Sequence, residues 1–196
     1  AVGKRPGERA VFIGSSILRL WEGLARDMRP VPVVNTAFGG SVTQEVLAQM
    51  RRRVLAYEPP VVVYYCGSND LSGGLPPAVP VANFQAFWRA LSAELPAARL
   101  LYLGVIKSSL QEVLGNFEAI DEVNRAVEAL CAADARLTFL DANAAVFLDA
   151  QGHARRERFV EDGHHLTEEA YRALGERVRP ELARLWEARA PSGPRL

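Results

Sequence analysis

The order of elements in this sequence predicts an α/β fold: a three-layer α/β/α domain with a parallel sheet in the middle. Three observations carry that expectation. Short apolar, β-rich runs alternate with helix-periodic segments along the chain. The run "VVVYYC" (61–66) is unbroken, β-branched and aromatic, as a strand buried on both faces requires. No internal repeat or low-complexity linker interrupts the alternation, so a single domain over residues 1–196 is expected.

Five runs read as strands. "AVFI" (10–13) ends at Gly14, and "VPVVN" (31–35) carries Pro32, which marks an edge strand because proline cannot donate to a central ladder. "VVVYYC" is the third, and "RLLYLGVI" (99–106) and "LTFLDA" (137–142) are the fourth and fifth. Helical spacing fills the intervals. Ile17, Leu20, Trp21 and Leu24 recur at i, i+3, i+4 and i+7, and Ser41 with Gln44 reads as a capping box ahead of Val46, Leu47, Met50 and Val54. Phe84, Phe87, Trp88, Leu91 and Leu95 form a third stripe stopped by Pro96, and Phe117, Ile120, Val123, Val127 and Leu130 a fourth. The last helix runs from about Thr167 through Tyr171, Leu174, Val178 and Leu182, with a kink expected at Pro180.

Bulk properties exclude several classes. Lys+Arg and Asp+Glu are equal at 23 each, so no nucleic-acid footprint is expected, and Arg51–Arg53 reads as a solvated helix face. Two cysteines, Cys66 and Cys131, are too few for a disulfide scaffold. No apolar run approaches the roughly 20 residues of a membrane helix. No signal-like segment begins the sequence, which slightly favours a cytoplasmic protein, but a mature chain after signal removal would read the same. Oligomeric state is open.

In such sheets ligands bind beyond the carboxyl ends of the strands, which directs attention to the loops there. After the first strand, "GSSILRLW" (14–21) can present a serine hydroxyl at a helix start, although an N-cap serine would look alike. It is not G-x-S-x-G, because Leu18 occupies the last glycine position. After the second, Gly39-Gly40 lets the backbone approach a ligand, or simply turns into a helix. After the third, "GSNDLSGG" (67–74) offers Asn69 as an amide donor or as an Asx-turn. Beyond the fifth, "EDGHHL" (161–166) sets Asp162 three residues before His165, a spacing that lets a carboxylate orient an imidazole. Together these supply nucleophile, base, orienting acid and oxyanion donors at one sheet edge. His153, His164, His165 and Asp162 could supply metal ligands, but their spacing matches no H-E-x-x-H or C-x-x-C framework. Neither a metal nor another cofactor is expected.

The motifs resemble those of the SGNH hydrolase superfamily, the GDSL-type esterases and lipases, over roughly residues 10–175. The first block reads Gly14-Ser15-Ser16 in place of Gly-Asp-Ser; the second contributes Gly40; the third is matched in full by Gly67-Ser68-Asn69-Asp70; the last is Asp162-Gly163-His164-His165. The resemblance implies a flavodoxin-like five-stranded parallel sheet of order 2-1-3-4-5. It also implies Ser16 as nucleophile, the third position of its block, rather than Ser15.

The expected activity is cleavage of a small or short-acyl carboxylic ester through an acyl-enzyme on Ser16. His165 would be the general base, Asp162 the residue orienting it, and Ser16, Gly40 and Asn69 the oxyanion hole. Leu71, Leu75 and Leu110 are candidates to contact an acyl chain, and His164 is a candidate rim contact. O-acetylated carbohydrates, lysophospholipids and acyl thioesters are alternative substrates of the same triad, and a thiol hydrolase on Cys66 is a remoter one. From a different class, a non-catalytic ligand-binding or scaffold protein on the same sheet is the rival, although no G-x-G-x-x-G or Walker pattern supports a nucleotide site.

Overall fold

The protein is described by a computed structural model covering residues 6–189. Strands β1 (Ala10–Gly14), β2 (Val33–Asn35), β3 (Val61–Tyr65), β4 (Arg99–Leu103) and β5 (Leu137–Leu140) form one all-parallel sheet in the order β2-β1-β3-β4-β5. The helices are α1 (Ser16–Arg19), α2 (Leu24–Asp27), α3 (Thr43–Arg53), α4 (Ser68–Ser72), α5 (Ala78–Glu94), α6 (Ser109–Val113), α7 (Phe117–Ala132) and α8 (Glu168–Glu187).

Period-2 alternation divides the strand side chains between two cores. Phe12, Val63, Tyr65 and Leu101 face a layer built from α1, α2 and α8, where they meet Ile17, Trp21, Leu24, Tyr171, Leu174 and Val178. Val11, Ile13, Val62, Tyr64, Leu100 and Tyr102 face α3, α5 and α7, and meet Val46, Phe84, Phe87, Ile120 and Val123. Trp21 is the anchor of the first layer. It packs edge-on against Phe12, lies 5.4 Å from the Tyr171 ring and donates from Nε1 to Asp27 Oδ2 at 2.8 Å. Truncating so buried an aromatic costs about 3–5 kcal/mol.

β2 lies at the sheet edge, as Pro32 predicts, and begins just after that proline. The last two strands end earlier than their apolar runs suggest: β4 stops at Leu103 and β5 at Leu140. Two buried asparagines explain the exit of β4. Asn124 receives the Val105 N–H and donates to the Val105 carbonyl, while Asn143 donates to that carbonyl and receives the Lys107 N–H. Val105 and Lys107 therefore bond to side chains and not to a sheet neighbour.

Two helix expectations need correction. The stripe from Ile17 to Leu24 is two short helices, α1 and α2, with Leu20–Gly23 between them. Gly23, a poor helix former, starts the second turn. The Ser41–Gln44 capping box does not form. Instead Glu45 accepts the Val42 N–H at 3.0 Å, while the Ser41 hydroxyl bonds to the Phe38 and Gly14 carbonyls. α8 continues through Pro180, whose missing N–H leaves the carbonyl of Glu176 without its intrahelical donor.

Candidate active site

The carboxyl edge of the sheet gathers the predicted residues from four loops. Ser16 is the first residue of α1, immediately beyond β1, and is 5% exposed. Its position follows from Gly14. A Cβ added there would stand 1.8 Å from the Tyr65 carbonyl oxygen, so only glycine lets β1 end this close to β3. The next residue continues the contact, its N–H donating to Tyr65 O at 3.1 Å. The chain then turns into α1 with Ser16 Oγ facing the last loop.

On that loop, His165 Nε2 lies 2.9 Å from Ser16 Oγ, and His165 Nδ1 lies 2.5 Å from Asp162 Oδ2. Asp162 also organises its own turn, because Oδ1 accepts the N–H groups of both His164 and His165 at 2.8 Å. Gly163, at φ +69°, supplies the left-handed residue that this turn requires. Burial pushes the Asp162 carboxyl upward, but the His165 ring and the two backbone donors outweigh it and hold the group down at about 2. The loop is closed outside by an antiparallel bridge, Phe159 to Leu166, and is joined to α6 by the Leu110 N–H donating to Gly163 O.

The two adjacent serines have different environments. Ser16 Oγ meets the imidazole, whereas Ser15 Oγ is buried with no hydrogen-bond partner among the described residues. The two histidines divide as well. His164 stands edge-on to His165, with ring centroids 4.7 Å apart, and its buried Nδ1 has no partner among the described residues. Burial, with the neighbouring His165, lowers its affinity for a proton, against a smaller opposing effect of Asp162. His153 lies elsewhere, its Nδ1 2.7 Å from Glu112. Among the described residues no group of three or more His, Cys, Asp or Glu side chains is placed to hold a metal ion.

The oxyanion candidates come from the β1, β2 and β3 loops. The N–H groups of Ser16 and Gly40 have no acceptor among the described residues. Asn69 donates one Nδ2 hydrogen to Ser41 O at 3.0 Å, which leaves its second amide hydrogen available. The distant partners of Asp70 that hold Asn69 in place escape sequence reasoning. Asp70 is nearly inaccessible and accepts from Thr43 twice, from N at 2.9 Å and from Oγ1 at 2.5 Å, while Asn83 donates to the same hydroxyl. This lock ties α4 to the start of α3, and so Asn69 to the Gly40 turn. An Asp beside an Asn in the sequence is the only signal for it; Thr43 and Asn83 carry none.

The substrate-contact candidates separate. Leu71 is buried among Val46, Phe84 and their neighbours, so it packs inward as core. Leu75 is 40% exposed, and Leu110 is half-buried on α6 beside Gly163. The segment 107–116 contains α6, whose Gln111 amide donates to Ser68 O and Ser72 Oγ and fastens it to α4. Cys66 is fully buried, its thiol donates to Ser41 O, and burial pushes its proton affinity up, all contrary to what a nucleophile needs. A separate surface cleft of about 370 Å³ lies against α1 and α8, lined by Leu20, Trp21, Glu22, Arg26, Leu166 and Tyr171, and takes in none of the oxyanion candidates.

A serine, an imidazole and a carboxylate joined in sequence at the carboxyl edge of a 2-1-3-4-5 sheet define a hydrolase class. The sequence profile of the GDSL-like lipase/acylhydrolase family matches residues 14–173, and the chain belongs to that family. It is a hydrolase. Solved structures share the fold. They include a GDSL-like lipase from Bacteroides thetaiotaomicron (TM-score 0.78, 18% identity, 90% of this chain and 88% of that one). A carbohydrate esterase family 3 protein from Talaromyces cellulolyticus is similar (0.74, 16%, 93% and 100%), as is a lipase/acylhydrolase from Enterococcus faecalis (0.72, 20%, 94% and 98%). At these identities the likeness is one of fold. No curated protein sequence matches.

Proposed function

We propose that this chain hydrolyses small carboxylic esters through an acyl-enzyme on Ser16. The observation that carries the reading is the continuous contact from Ser16 Oγ through both ring nitrogens of His165 to Asp162. Ser16 Oγ attacks the ester carbonyl as His165 Nε2 takes its proton; Asp162, ionised at neutral pH, fixes the tautomer and stabilises the imidazolium. The tetrahedral oxyanion is met by the N–H groups of Ser16 and Gly40 and by the free Asn69 hydrogen. The imidazolium then protonates the departing alkoxide. Water, deprotonated by His165, releases the acid and regenerates the hydroxyl.

A small substrate is favoured because the residues around the serine are short loops and a one-turn helix, and Leu71, the innermost apolar candidate, is taken up by the core. Leu75, Leu110 and the exposed Val113 remain for a short acyl or alkyl group.

The test is labelling with a serine-directed phosphonate, followed by peptide mapping, beside p-nitrophenyl acetate turnover. One adduct on Ser16 is expected, and Ser16→Ala should lose nearly all turnover with an unchanged circular dichroism spectrum. Wild-type turnover by Ser16→Ala, or an adduct on Ser15, would overturn the assignment. A panel with O-acetyl sugars and acyl thioesters then ranks substrates.

A further inference from the structure

The turn that carries Gly40 is flanked by two guanidinium groups with contrasting surroundings. Arg53, on α3, is committed to the turn: Nη1 donates to Thr36 O at 2.8 Å, and its guanidinium carbon lies 4.3 Å from the centre of the Phe38 ring. Arg19 approaches from the other side, on α1 three residues after Ser16. A Cβ on Gly39 would fall 3.0 Å from Arg19 Nε and 3.5 Å from its Cζ and Nη2, so the guanidinium lies over the bare Gly39 backbone. Arg19 is exposed and has neither an ion pair nor a hydrogen-bond acceptor among the described residues.

Arg53 already accounts for anchoring the turn, so Arg19 is not needed for that. Its location matters more. A positive, planar fork of donors sits beside the residue preceding Gly40, one helical turn from the nucleophile. Such a group recognises carboxylate or phosphate oxygens in bidentate fashion. By the turn that carries His165, Leu110 lies beside Gly163, and Val113 is 79% and Leu114 48% exposed on or just after α6. An exposed guanidinium thus stands by the Gly40 turn, and exposed apolar side chains stand on the helix next to the His165 turn.

Resting on the esterase reading above, we propose that Arg19 is a specificity-determining residue that docks an anionic group of the ester substrate, so that the preferred substrates are esters bearing a carboxylate or phosphate near the scissile bond. The neutral part of the ester then lies toward α6.

The experiment compares charged esters with neutral counterparts of similar length, with acid release followed by pH-stat. Monoethyl glutarate against ethyl valerate places the charge on the acyl side; 3-acetoxypropanoate against butyl acetate places it on the alcohol side. The readout is the ratio of kcat/KM, charged over neutral, in wild type, Arg19→Ala, Arg19→Lys and Arg19→Glu. At least one pair should favour the charged ester about ten- to a hundredfold in wild type. The ratio should fall toward one in Arg19→Ala, be partly kept in Arg19→Lys and invert in Arg19→Glu. It should also shrink with added salt. Ratios near one in wild type, or unchanged by Arg19→Ala, with Ser16-dependent hydrolysis of the neutral esters, would overturn the role of Arg19 alone. No Ser16-dependent hydrolysis of any ester would overturn it together with the esterase reading.

Discussion

The proposed nucleophile and its proposed base are held in place by opposite means. Ser16 is part of the core: it follows a fully buried central strand, and Gly14 fits against the Tyr65 carbonyl with no room for a methyl group. Asp162 and His165 stand on an exposed turn, with side chains 47% and 31% accessible, kept in shape by hydrogen bonds that Asp162 makes to its own loop. One half of the pair is positioned by long-range packing and the other by local hydrogen bonding. The first half should therefore fail by unfolding, and the second should fail in activity with little loss of stability.

Gly14→Ala and Asp162→Asn break that contrast most directly. A methyl group 1.8 Å from a backbone oxygen cannot be absorbed by side-chain movement, because the obstacle is β3 itself. Gly14→Ala should lose on the order of 4 kcal/mol or fail to yield folded protein, read as the urea midpoint or as soluble yield. A near-wild-type midpoint would show that the strand end is not tightly held. Asp162→Asn should behave in the reverse manner. Its urea midpoint should drop modestly, whereas kcat should fall on the order of 10²–10⁴-fold because the imidazole loses its orienting anion. Equal losses in both quantities would mean that the turn is a packing element after all.

The same division explains what was legible in the sequence. The fold was readable because "VVVYYC" and the alternating segments carry their burial in residue type, and Pro32 marks the edge of the sheet where β2 lies. The proximity of Asp162 and His165 was readable because the contacts of their turn are local: the two are three residues apart. What stayed hidden depends on distance in the chain. The break between α1 and α2 accompanies the packing of Trp21 between Phe12 and Tyr171, which are far apart in the chain, and no helical stripe records it. The inward turn of Leu71 and the Thr43–Asp70 lock likewise depend on partners from other elements.

That lock gives an intermediate case, a long-range contact that supports a proposed oxyanion donor. Burial raises the proton affinity of Asp70, and the two Thr43 bonds only partly offset it, so removing the hydroxyl leaves a carboxyl with fewer partners. Thr43→Val should cost about 1–3 kcal/mol in urea unfolding. If the lock also aims Asn69, kcat on p-nitrophenyl acetate should fall severalfold with little change in KM, and Asn69→Ala in the Thr43→Val background should then cost less than it does in wild type. Additive losses in this double-mutant cycle would separate the lock from the oxyanion hole.

The smallest expected effect concerns His164 and sharpens the contrast within a single turn. Its folded proton affinity is lowered by burial and by His165, so the unfolded chain binds a proton at this position more readily. Stability from this group is therefore complete above the ordinary histidine value of about 6.5, and it is lost as pH falls through that value, until the folded ring also protonates. His153 works in the other direction. Glu112 raises its proton affinity, so its contribution is present in acid and fades as pH rises through the folded value. Asp162 contributes only at lower pH, its stabilisation being lost between the ordinary carboxylate value of about 3.9 and about 2. His164→Leu removes one of these three. The variant should lose less melting temperature than wild type between pH 8 and pH 5, by a few degrees, while kcat at pH 8 stays within a few fold because His165 keeps its Asp162 and Ser16 contacts. An equal or larger acid-induced drop in the variant would mean that the buried ring accepts a proton without penalty, and that the turn is more open than its hydrogen bonds imply.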